Sequence, residues 1–177
     1  MTSALTTPSE PRGIAGTFRA EVRSSDVEAV RAVVTSSGFF LPAEIDVAVE
    51  LVQARLTHGE ASGYHFLFAE EAGHVVGYAC FGPIACTQAS FDLYWIAVEQ
   101  TRRGGGVGRE LLERTERMIR DLGGRRVYIE TSSRALYEPT RAFYLRRGYS
   151  VEATLRDFYA AGDDKVIFVK SLGIQRK

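Results

Sequence analysis

The most informative part of the chain is RRGGGVGRELL, residues 102–112. It places Gly104, Gly105, Gly106 and Gly108 directly before leucines and charged residues. Glycine in a helix interior costs roughly 0.5–1 kcal/mol relative to alanine, so this concentration indicates a loop whose backbone must come close to something. The free N–H groups and the positive dipole end at the start of a helix attract anions. A phosphate-binding loop is therefore predicted, and a flexible loop without a ligand is the alternative.

A strongly amphipathic helix is predicted after the glycines. Apolar residues recur with helical spacing from Val107 to Leu122, and Gly123 ends the pattern. Charged residues four positions apart, such as Glu116 and Arg120, are expected to pair on the outer face of this helix. The loop and the helix therefore form one unit that presents backbone N–H groups at its start.

The segments around this unit alternate between helical and strand patterns. Helical spacing predicts three further helices, over residues 27–34, 42–58 and 138–147. Runs rich in aromatic and β-branched residues predict strands, over residues 17–22, 64–71, 74–84, 90–98, 125–132, 149–160 and 164–170. The strands before the glycines follow one another through short turns, so they are expected to form an antiparallel meander.

Composition narrows the function classes. The 177 residues are 45% hydrophobic, which suits one domain with a real core. Twenty-two basic and 22 acidic residues cancel, so there is no electrostatic basis for binding nucleic acid or an anionic membrane. Two cysteines and three histidines show no metal-ligand spacing, and no metal is expected. Both cysteines are interpreted as core residues in a reducing compartment, which indicates a cytoplasmic protein.

The two ends of the chain are predicted to lie outside the domain. Residues 1–16 are rich in Ser, Thr, Pro and Gly and lack the apolar run of a signal peptide, so they are expected to be a flexible tail. Residues 173–177 form a short C-terminal tail. Nothing in the sequence approaches 18 continuous apolar residues, and no membrane span is expected. A single domain over residues 17–172 remains.

Two common phosphate motifs fail on specific residues. A P-loop needs Lys and then Ser or Thr after its last glycine, whereas Arg109 and Glu110 follow Gly108. A dinucleotide fingerprint needs a glycine in its sixth position, which from Gly104 is again Arg109. Antiparallel strands also precede the loop where βαβ units should stand.

A third motif fits. Arg103, Gly106 and Gly108 match the pattern [RQ]-x-x-G-x-[GA], and residues 96–112 resemble the phosphate-binding motif of the GNAT superfamily of acyl-CoA-dependent N-acetyltransferases along their whole length. AFYLRRGY, residues 142–149, is similar to the second signature of that superfamily, A-x-x-F-Y-x-x-x-G-[FY], with Thr140 in place of its alanine. The resemblance extends over about residues 17–172 and includes the order of elements.

The resemblance implies an α/β (α+β) fold. We expect a single GNAT-like domain with a mixed, mostly antiparallel sheet of six to seven strands and about four flanking helices. It also implies a splay between the strand at residues 92–98 and the strand at residues 126–132, into which the cofactor inserts. The glycine loop would leave the first of these strands and cover the phosphates.

The cofactor implied by the resemblance is acetyl-CoA, the acetylated form of coenzyme A. Backbone amides of the glycine loop would hold its pyrophosphate, from Arg103, Gly104, Gly105, Gly106, Val107 and Gly108. The backbone at Ile96 and Val98 would pair with the pantetheine arm like an added strand, although their side chains also suit a core.

Transfer to an amine requires a base for the amine and an acid for the departing thiolate. Tyr144 matches the tyrosine that this superfamily commonly uses as general acid; the alternative is a packed aromatic ring. Two carboxylates compete as base: Glu130 matches the glutamate of the ribosomal-protein alanine acetyltransferases, and Asp92 falls where histone-type members carry theirs. Either carboxylate could act through water, and it remains open that neither is the base.

The acceptor is the least defined part of the prediction. The tail of the chain loosely resembles the alanine acetyltransferase subgroup, which places Tyr159, Asp157 and Asp163 beside an amine. Tyr137 stands where that subgroup has asparagine, and two extra residues separate Glu130 from the acid tyrosine. A small-molecule amine and a peptide therefore both remain as acceptors, a homodimer is a possible assembly, and a non-catalytic acyl-CoA sensor is the competing hypothesis.

Overall fold

The computed structural model of the protein describes residues 16–173. This part of the chain forms one seven-stranded sheet with four α-helices, in agreement with the expected fold class. The strands are β1 (Thr17–Arg19), β2 (His65–Glu71), β3 (His74–Pro83), β4 (Ser90–Val98), β5 (Arg126–Ser132), β6 (Ser150–Ala160) and β7 (Asp163–Ser171). The helices are α1 (Asp26–Ser37), α2 (Pro42–His58), α3 (Val107–Asp121) and α4 (Glu138–Arg146). The two predicted tails lie outside the described residues, except for their innermost residues.

The sheet has the order β1-β2-β3-β4-β5-β7-β6, and every neighbouring pair is antiparallel except β4 and β5. The predicted meander of β2, β3 and β4 is confirmed. The β4–β5 pairing is parallel and covers only three residue pairs, from Ser90 with Arg126 to Asp92 with Tyr128. Beyond Asp92 the two strands part, so the expected splay is present and opens toward their carboxyl ends.

Each face of the sheet carries two helices. α3 and α4 cover one face, over a core that includes Phe81, Leu93, Leu112, Ile129 and Phe168. α1 and α2 cover the other face, over a core that includes Val30, Val52, Phe66, Tyr78 and Cys80. Successive residues of a strand point to opposite faces. The face of each site residue therefore follows from whether its strand neighbours belong to the first core or to the second.

α3 begins at the glycine loop and packs on the sheet as the periodicity predicts, with two differences. Glu116 is not on the outer face: it is buried, and its carboxylate accepts hydrogen bonds from Lys170 Nζ at 2.8 Å and Tyr149 Oη at 3.1 Å. Leu122, predicted to be on the inward stripe, is 51% exposed because the helix ends at Asp121. The burial of Glu116 depends on Tyr149 and Lys170, which are distant from α3 in the sequence, so the helical periodicity does not predict it.

The cysteines occupy different environments. Cys80 is buried in β3, as expected, whereas Cys86 is exposed in the β3–β4 connection, with a positive φ of 63°. The prediction that both are core residues is therefore wrong for Cys86. Neither cysteine forms a disulfide. Within residues 16–173, no helix is both long and apolar enough to cross a bilayer.

Candidate active site

The splay between β4 and β5 is enlarged by a bulge in β4. Cys80 pairs with Trp95 and the next residue of β3, Phe81, pairs with Leu93, so Tyr94 is an extra residue without a partner in this register. A bulge of this kind bends its strand and increases the local twist. β4 therefore turns away from β5 directly after Asp92 and leaves a wedge between the two strands.

Ile96 and Val98 lie on the part of β4 that borders this wedge. Their side chains pack under α3 with Val107 and Leu111, so they belong to the core. Their backbone is different, because the described pairing with β5 stops at Asp92. The side of β4 that faces β5 therefore offers free backbone N–H and C=O groups to an extended ligand.

The glycine loop joins the end of β4 to the start of α3. Gly104 and Gly106 have φ values of +79° and +90°, a left-handed conformation that side chains disfavour, and Gly106 is the N-cap of α3. The first hydrogen bond of the helix runs from Glu110 N–H to Gly106 C=O at 3.0 Å, which leaves the N–H groups of Val107 and Gly108 without a helical partner. The loop thus has the geometry expected of a phosphate cradle.

Arg103 fixes this loop to the neighbouring helix through its side chain. Its guanidinium donates a hydrogen bond to Ser37 C=O at 2.7 Å and lies 4.5 Å from the centre of the Phe39 ring. The guanidinium is therefore occupied by the α1–α2 connection, and the Arg103 N–H donates to Gln100 C=O at 3.4 Å. The predicted contribution of the Arg103 amide to phosphate binding is thus not free in this structure, and Gly104, Gly105, Gly106, Val107 and Gly108 remain the predicted cradle.

The two candidate bases lie close together at the wedge, on the face covered by α1 and α2. Asp92 is the last β4 residue paired with β5, and Glu130 is the second β5 residue beyond that pair. The side chain of Glu130 is 49% exposed and forms an ion pair with Lys165 Nζ on β7, at 2.6 Å. The structure thus brings both carboxylates together and adds a lysine beside them.

Asp92 titrates differently from an ordinary carboxyl group. Burial, followed by repulsion from Glu130, raises the pKa of Asp92 from 3.8 to about 6, and the positive charge of Lys165 opposes the rise. A carboxylate with a pKa close to physiological pH is well matched to accepting a proton from an amine. Asp92 therefore has the electrostatics of a general base.

Replacing Asp92 with Asn should stabilise the protein near neutral pH. The folded-state pKa of Asp92 is raised, so its protonated form favours folding, and that stability is lost as pH rises from about 4 through about 6. Asn avoids the loss, and we expect the free energy of unfolding to increase by about 1–2 kcal/mol at pH 7.5, after a discount for solvent access. Urea unfolding at pH 7.5 and pH 4 measures the effect; an equal change at both values would contradict it.

Tyr144 belongs to α4, and its side chain lies in the core on the opposite face of the sheet. Its side chain is 4% exposed and its ring centre lies 5.5–5.8 Å from the rings of Phe143, Tyr149 and Phe168. Burial raises the pKa of Tyr144 well above its ordinary value, so the phenol is protonated at neutral pH. The two carboxylates and this buried phenol are thus on opposite faces of the sheet.

Among the predicted acceptor contacts, Tyr159 lies beside Lys165, the ion-pair partner of Glu130. It is 49% exposed, its ring meets Phe158 edge to face at 5.1 Å, and Lys165 Nζ lies 5.9 Å from its centre. Burial first, and then the negative charge of Glu130, raises the pKa of Tyr159 to about 12. Its hydroxyl is therefore a neutral hydrogen-bonding group at the edge of the site.

Asp157 and Asp163 already have partners within the β6–β7 hairpin. Asp157 has a φ of +50° and its carboxylate accepts a hydrogen bond from Gly162 N–H at 2.7 Å. Asp163 is buried and bonds Ser132 Oγ at 2.5 Å and Arg134 Nε at 3.1 Å. Both side chains shape the loops around the site.

Tyr137 is also held by the protein itself. Its hydroxyl donates a hydrogen bond to Phe39 C=O at 3.1 Å, and the two rings are 5.6 Å apart. The same Phe39 ring carries the guanidinium of Arg103. The α1–α2 connection is thereby clamped between the glycine loop and the segment before α4.

A family model described as the acetyltransferase (GNAT) family matches residues 33–149, which include the wedge, the glycine loop, both carboxylates and Tyr144. The chain belongs to the GNAT acetyltransferase family. The expectation of an acetyl-CoA-dependent acetyltransferase is confirmed at the level of this family.

Solved structures support the GNAT assignment. A protein of the GNAT family from Desulfovibrio desulfuricans is 50% identical, with a TM-score of 0.88, over 90% of this chain and all of that chain. The ribosomal-protein-S18-alanine N-acetyltransferase from Escherichia coli is 18% identical, with a TM-score of 0.72, over 92% of this chain and 97% of that chain. At this lower identity the likeness concerns the fold.

The curated relatives share only part of their length with this GNAT domain. An amino-acid acetyltransferase of Pseudomonas aeruginosa is 32% identical over 107 residues, which are 60% of this chain and 24% of that protein. The chain thus spans about a quarter of the curated relatives that it matches. Their acceptor does not transfer directly to this protein.

Lys165 is the functional-site residue that sequence reasoning missed in this GNAT domain. It lies on β7 opposite Ser132, two residue pairs beyond the pair of Glu130 with Ile167. Its side chain therefore lies on the same face of the sheet as Glu130. Side chains alternate between the two faces along β7, so the face of Lys165 follows once the register of β7 with β5 is known. Sequence alone does not supply the register.

Proposed function

We propose that the protein transfers an acetyl group from acetyl-CoA to a primary amine by direct attack in a ternary complex. The observation that carries this proposal is the wedge between β4 and β5, with Asp92 and Glu130 on the face covered by α1 and α2. Direct transfer needs a proton acceptor on the amine side and a proton donor on the sulfur side. We propose the carboxylates as the acceptor and Tyr144, in the core of the other face, as the donor.

The residues present fit the acyl donor. The free N–H groups at the start of α3 and the left-handed glycines would receive the pyrophosphate, and the unpaired backbone of β4 at Ile96 and Val98 would receive the pantetheine arm. When bound, acetyl-CoA supplies an acetyl group already activated as a thioester. The protein's part is to orient it, to take a proton from the amine and to provide one for the sulfur.

Asp92 is better suited than Glu130 to take the first proton. The carboxylate of Glu130 is held by the Lys165 ammonium at 2.6 Å, whereas the pKa of Asp92 is raised to about 6. We therefore propose Asp92 as the base and Glu130 as the group that sets its electrostatics. Comparing Asp92→Asn with Glu130→Gln under conditions that limit the rate by chemistry separates the two roles: a greater loss of kcat in Glu130→Gln would reverse them.

The acceptor is proposed to be an amine on a small molecule or a peptide. Two pairs of aromatic side chains lie near the carboxylates. The rings of Tyr64 and Tyr94 are 5.6 Å apart, and those of Phe158 and Tyr159 are 5.1 Å apart. Aromatic faces and carboxylates together favour a cationic group. Tyr159, Asp157, Asp163 and Tyr137 remain proposed as acceptor-side residues. We propose direct contact for Tyr159, because the other three side chains bond within the protein.

A cytoplasmic location remains part of the proposal and is supported by the two unbonded cysteines, as in a reducing compartment. The homodimer stays a prediction, which sedimentation of the purified protein would test.

Thiol release from acetyl-CoA in the presence of an amine panel tests the proposed function. We expect thiol release to rise above the amine-free rate with at least one member of a panel of amino acids, diamines, aminoglycosides and short peptides. Rate enhancement by positioned acid–base groups is typically about 10²–10⁴-fold, so the signal should be clear. Binding of acetyl-CoA with no thiol release for any amine would instead favour an acyl-CoA sensor.

A further inference from the structure

The ammonium group of Lys165 lies beside the two candidate bases. Its Nζ is 2.6 Å from Glu130 Oε2 and 3.8 Å from the centre of the Phe158 ring. The side chain is only 13% exposed. One carboxylate and one aromatic face thus hold a primary amine beside the point at which β4 and β5 part.

Lysine is rare in this chain. Lys165, Lys170 and Lys177 are its only lysines, whereas 19 of its 22 basic residues are arginines. Arginine would serve a purely structural ion pair at least as well, because its guanidinium is always charged and binds carboxylates in a fixed geometry. Lysine differs in that it can lose its proton and become a nucleophile.

Lys170 provides an internal comparison. Its Nζ pairs with buried Glu116 at 2.8 Å and lies 5.3 Å from the Tyr149 ring, so it also combines a carboxylate with an aromatic face. Its partners belong to α3 and to the segment after α4, on the far face of the sheet from Asp92 and Glu130. The two lysines have similar chemistry, but only Lys165 is beside the wedge.

We propose that Lys165 is an intramolecular acetyl acceptor, modified by the protein's own active site; this inference rests on the proposed acetyltransferase function. The Lys165 ammonium gives a proton to the neighbouring carboxylate cluster, and the neutral nitrogen forms a bond to the acetyl carbon of acetyl-CoA. The carbon–sulfur bond breaks, and the sulfur leaves as the thiol of coenzyme A after receiving a proton from Tyr144. The nitrogen then loses its second proton, which restores the Tyr144 phenol by way of solvent, and the first proton passes from the carboxylates to solvent. The products are acetyl-lysine, coenzyme A and one proton released to solvent.

Modification changes the charge of the site. Acetyl-lysine carries no positive charge, so the ion pair with Glu130 is lost and Glu130 is freed within the acceptor site. The same loss removes the charge that opposes the raised pKa of Asp92, so that pKa rises further. Lys165→Gln, which imitates the neutral side chain, should therefore raise the pKa of Asp92 in an NMR titration without any donor present.

Mass spectrometry after incubation with acetyl-CoA tests the proposal. Native protein, heat-unfolded protein and the Glu130→Gln and Lys165→Arg variants are incubated in parallel at several protein concentrations, then digested with trypsin. We expect acetylation at Lys165 in the native protein, about 10²-fold or more above the unfolded sample, with Lys170 unmodified. The rate constant should not depend on protein concentration, and it should fall in Glu130→Gln.

Several outcomes overturn the proposal. Equal modification of Lys165 in native and unfolded protein would mean ordinary chemical acetylation, and a rate constant that rises with protein concentration would mean transfer between molecules. If a panel amine is acetylated while Lys165 is not, this inference fails and the proposed function stands. If acetyl-CoA neither shifts the Tm nor acetylates Lys165 or any amine, both fail together.

Discussion

Tyr144→Phe should lower kcat by about 10²–10⁴ while leaving the affinity for acetyl-CoA nearly unchanged. The substitution keeps the ring that packs against Phe143, Tyr149 and Phe168 and deletes only the phenolic proton. Burial raises the pKa of Tyr144, so this proton is present throughout the physiological range. A thiolate leaving into the same dry site has a raised pKa too, which makes the proton transfer feasible.

Tyr149→Phe is the matched control. Tyr149 is a buried tyrosine of the same aromatic cluster, 5.8 Å from Tyr144, but its hydroxyl bonds Glu116. Its removal should cost stability and leave kcat close to that of the native protein. Single-turnover thiol release with an accepted amine measures both variants. Unchanged kcat in Tyr144→Phe would reduce this tyrosine to a packing residue.

Gly106→Val should abolish the stabilisation that acetyl-CoA gives to the protein. At a hundredfold excess over Kd a ligand adds about 2.7 kcal/mol of stability, equivalent to a Tm increase of about 5–10 °C in a domain of this size. Gly106 has a φ of +90° at the N-cap of α3, where valine would be strained and its side chain would obstruct the approach of phosphate. Gly108→Val should also reduce the shift, because a Cβ there lies 3.6 Å from Val98 Cγ2 and the branches of valine would crowd the start of α3 against β4.

Gly123→Val separates loss of binding from general strain. Gly123 follows the other end of α3 with a φ of +85°, so valine there meets the same backbone penalty. Its own Tm should fall, yet the shift caused by acetyl-CoA should persist. Differential scanning fluorimetry with and without acetyl-CoA measures the Tm shift of the native protein and of the three glycine variants. A native protein that shifts with ATP or a dinucleotide and not with acetyl-CoA would show that the glycine loop has been misinterpreted.

The elements that sequence analysis recovered are those with local causes. The glycine loop, the periodicity of α3, the helix opened by Pro42 and the turn at Gly73 each depend on neighbouring residues, and all of them are in the structure. The two carboxylates also emerged, because each stands at a fixed distance from a recognisable motif. Local chemistry was sufficient for these elements, and the resemblance to the GNAT superfamily supplied the sheet and the outline of the site.

What sequence analysis missed depends on contacts between distant segments. Glu116 was assigned to the outer face of α3 because its partner Lys170, which lets its carboxylate be buried, comes 54 residues later. Lys165 went unnoticed because its place beside Glu130 follows from the register of β5 with β7. The raised pKa of Asp92 likewise needs the burial created by the whole site. None of these properties leaves a periodic or spaced pattern in the chain.

The short β4–β5 junction has a consequence for how the protein folds. β1 to β4 join through consecutive antiparallel contacts and β5 to β7 form a compact group of their own, whereas the junction is parallel and must wait for α3 to cross over. The junction consists of only three residue pairs, so we expect it to be the last of these contacts to become stable and the first to open. A ligand held across the junction would therefore slow unfolding more than it speeds folding. The acyl donor would bind only chains that have completed the last step.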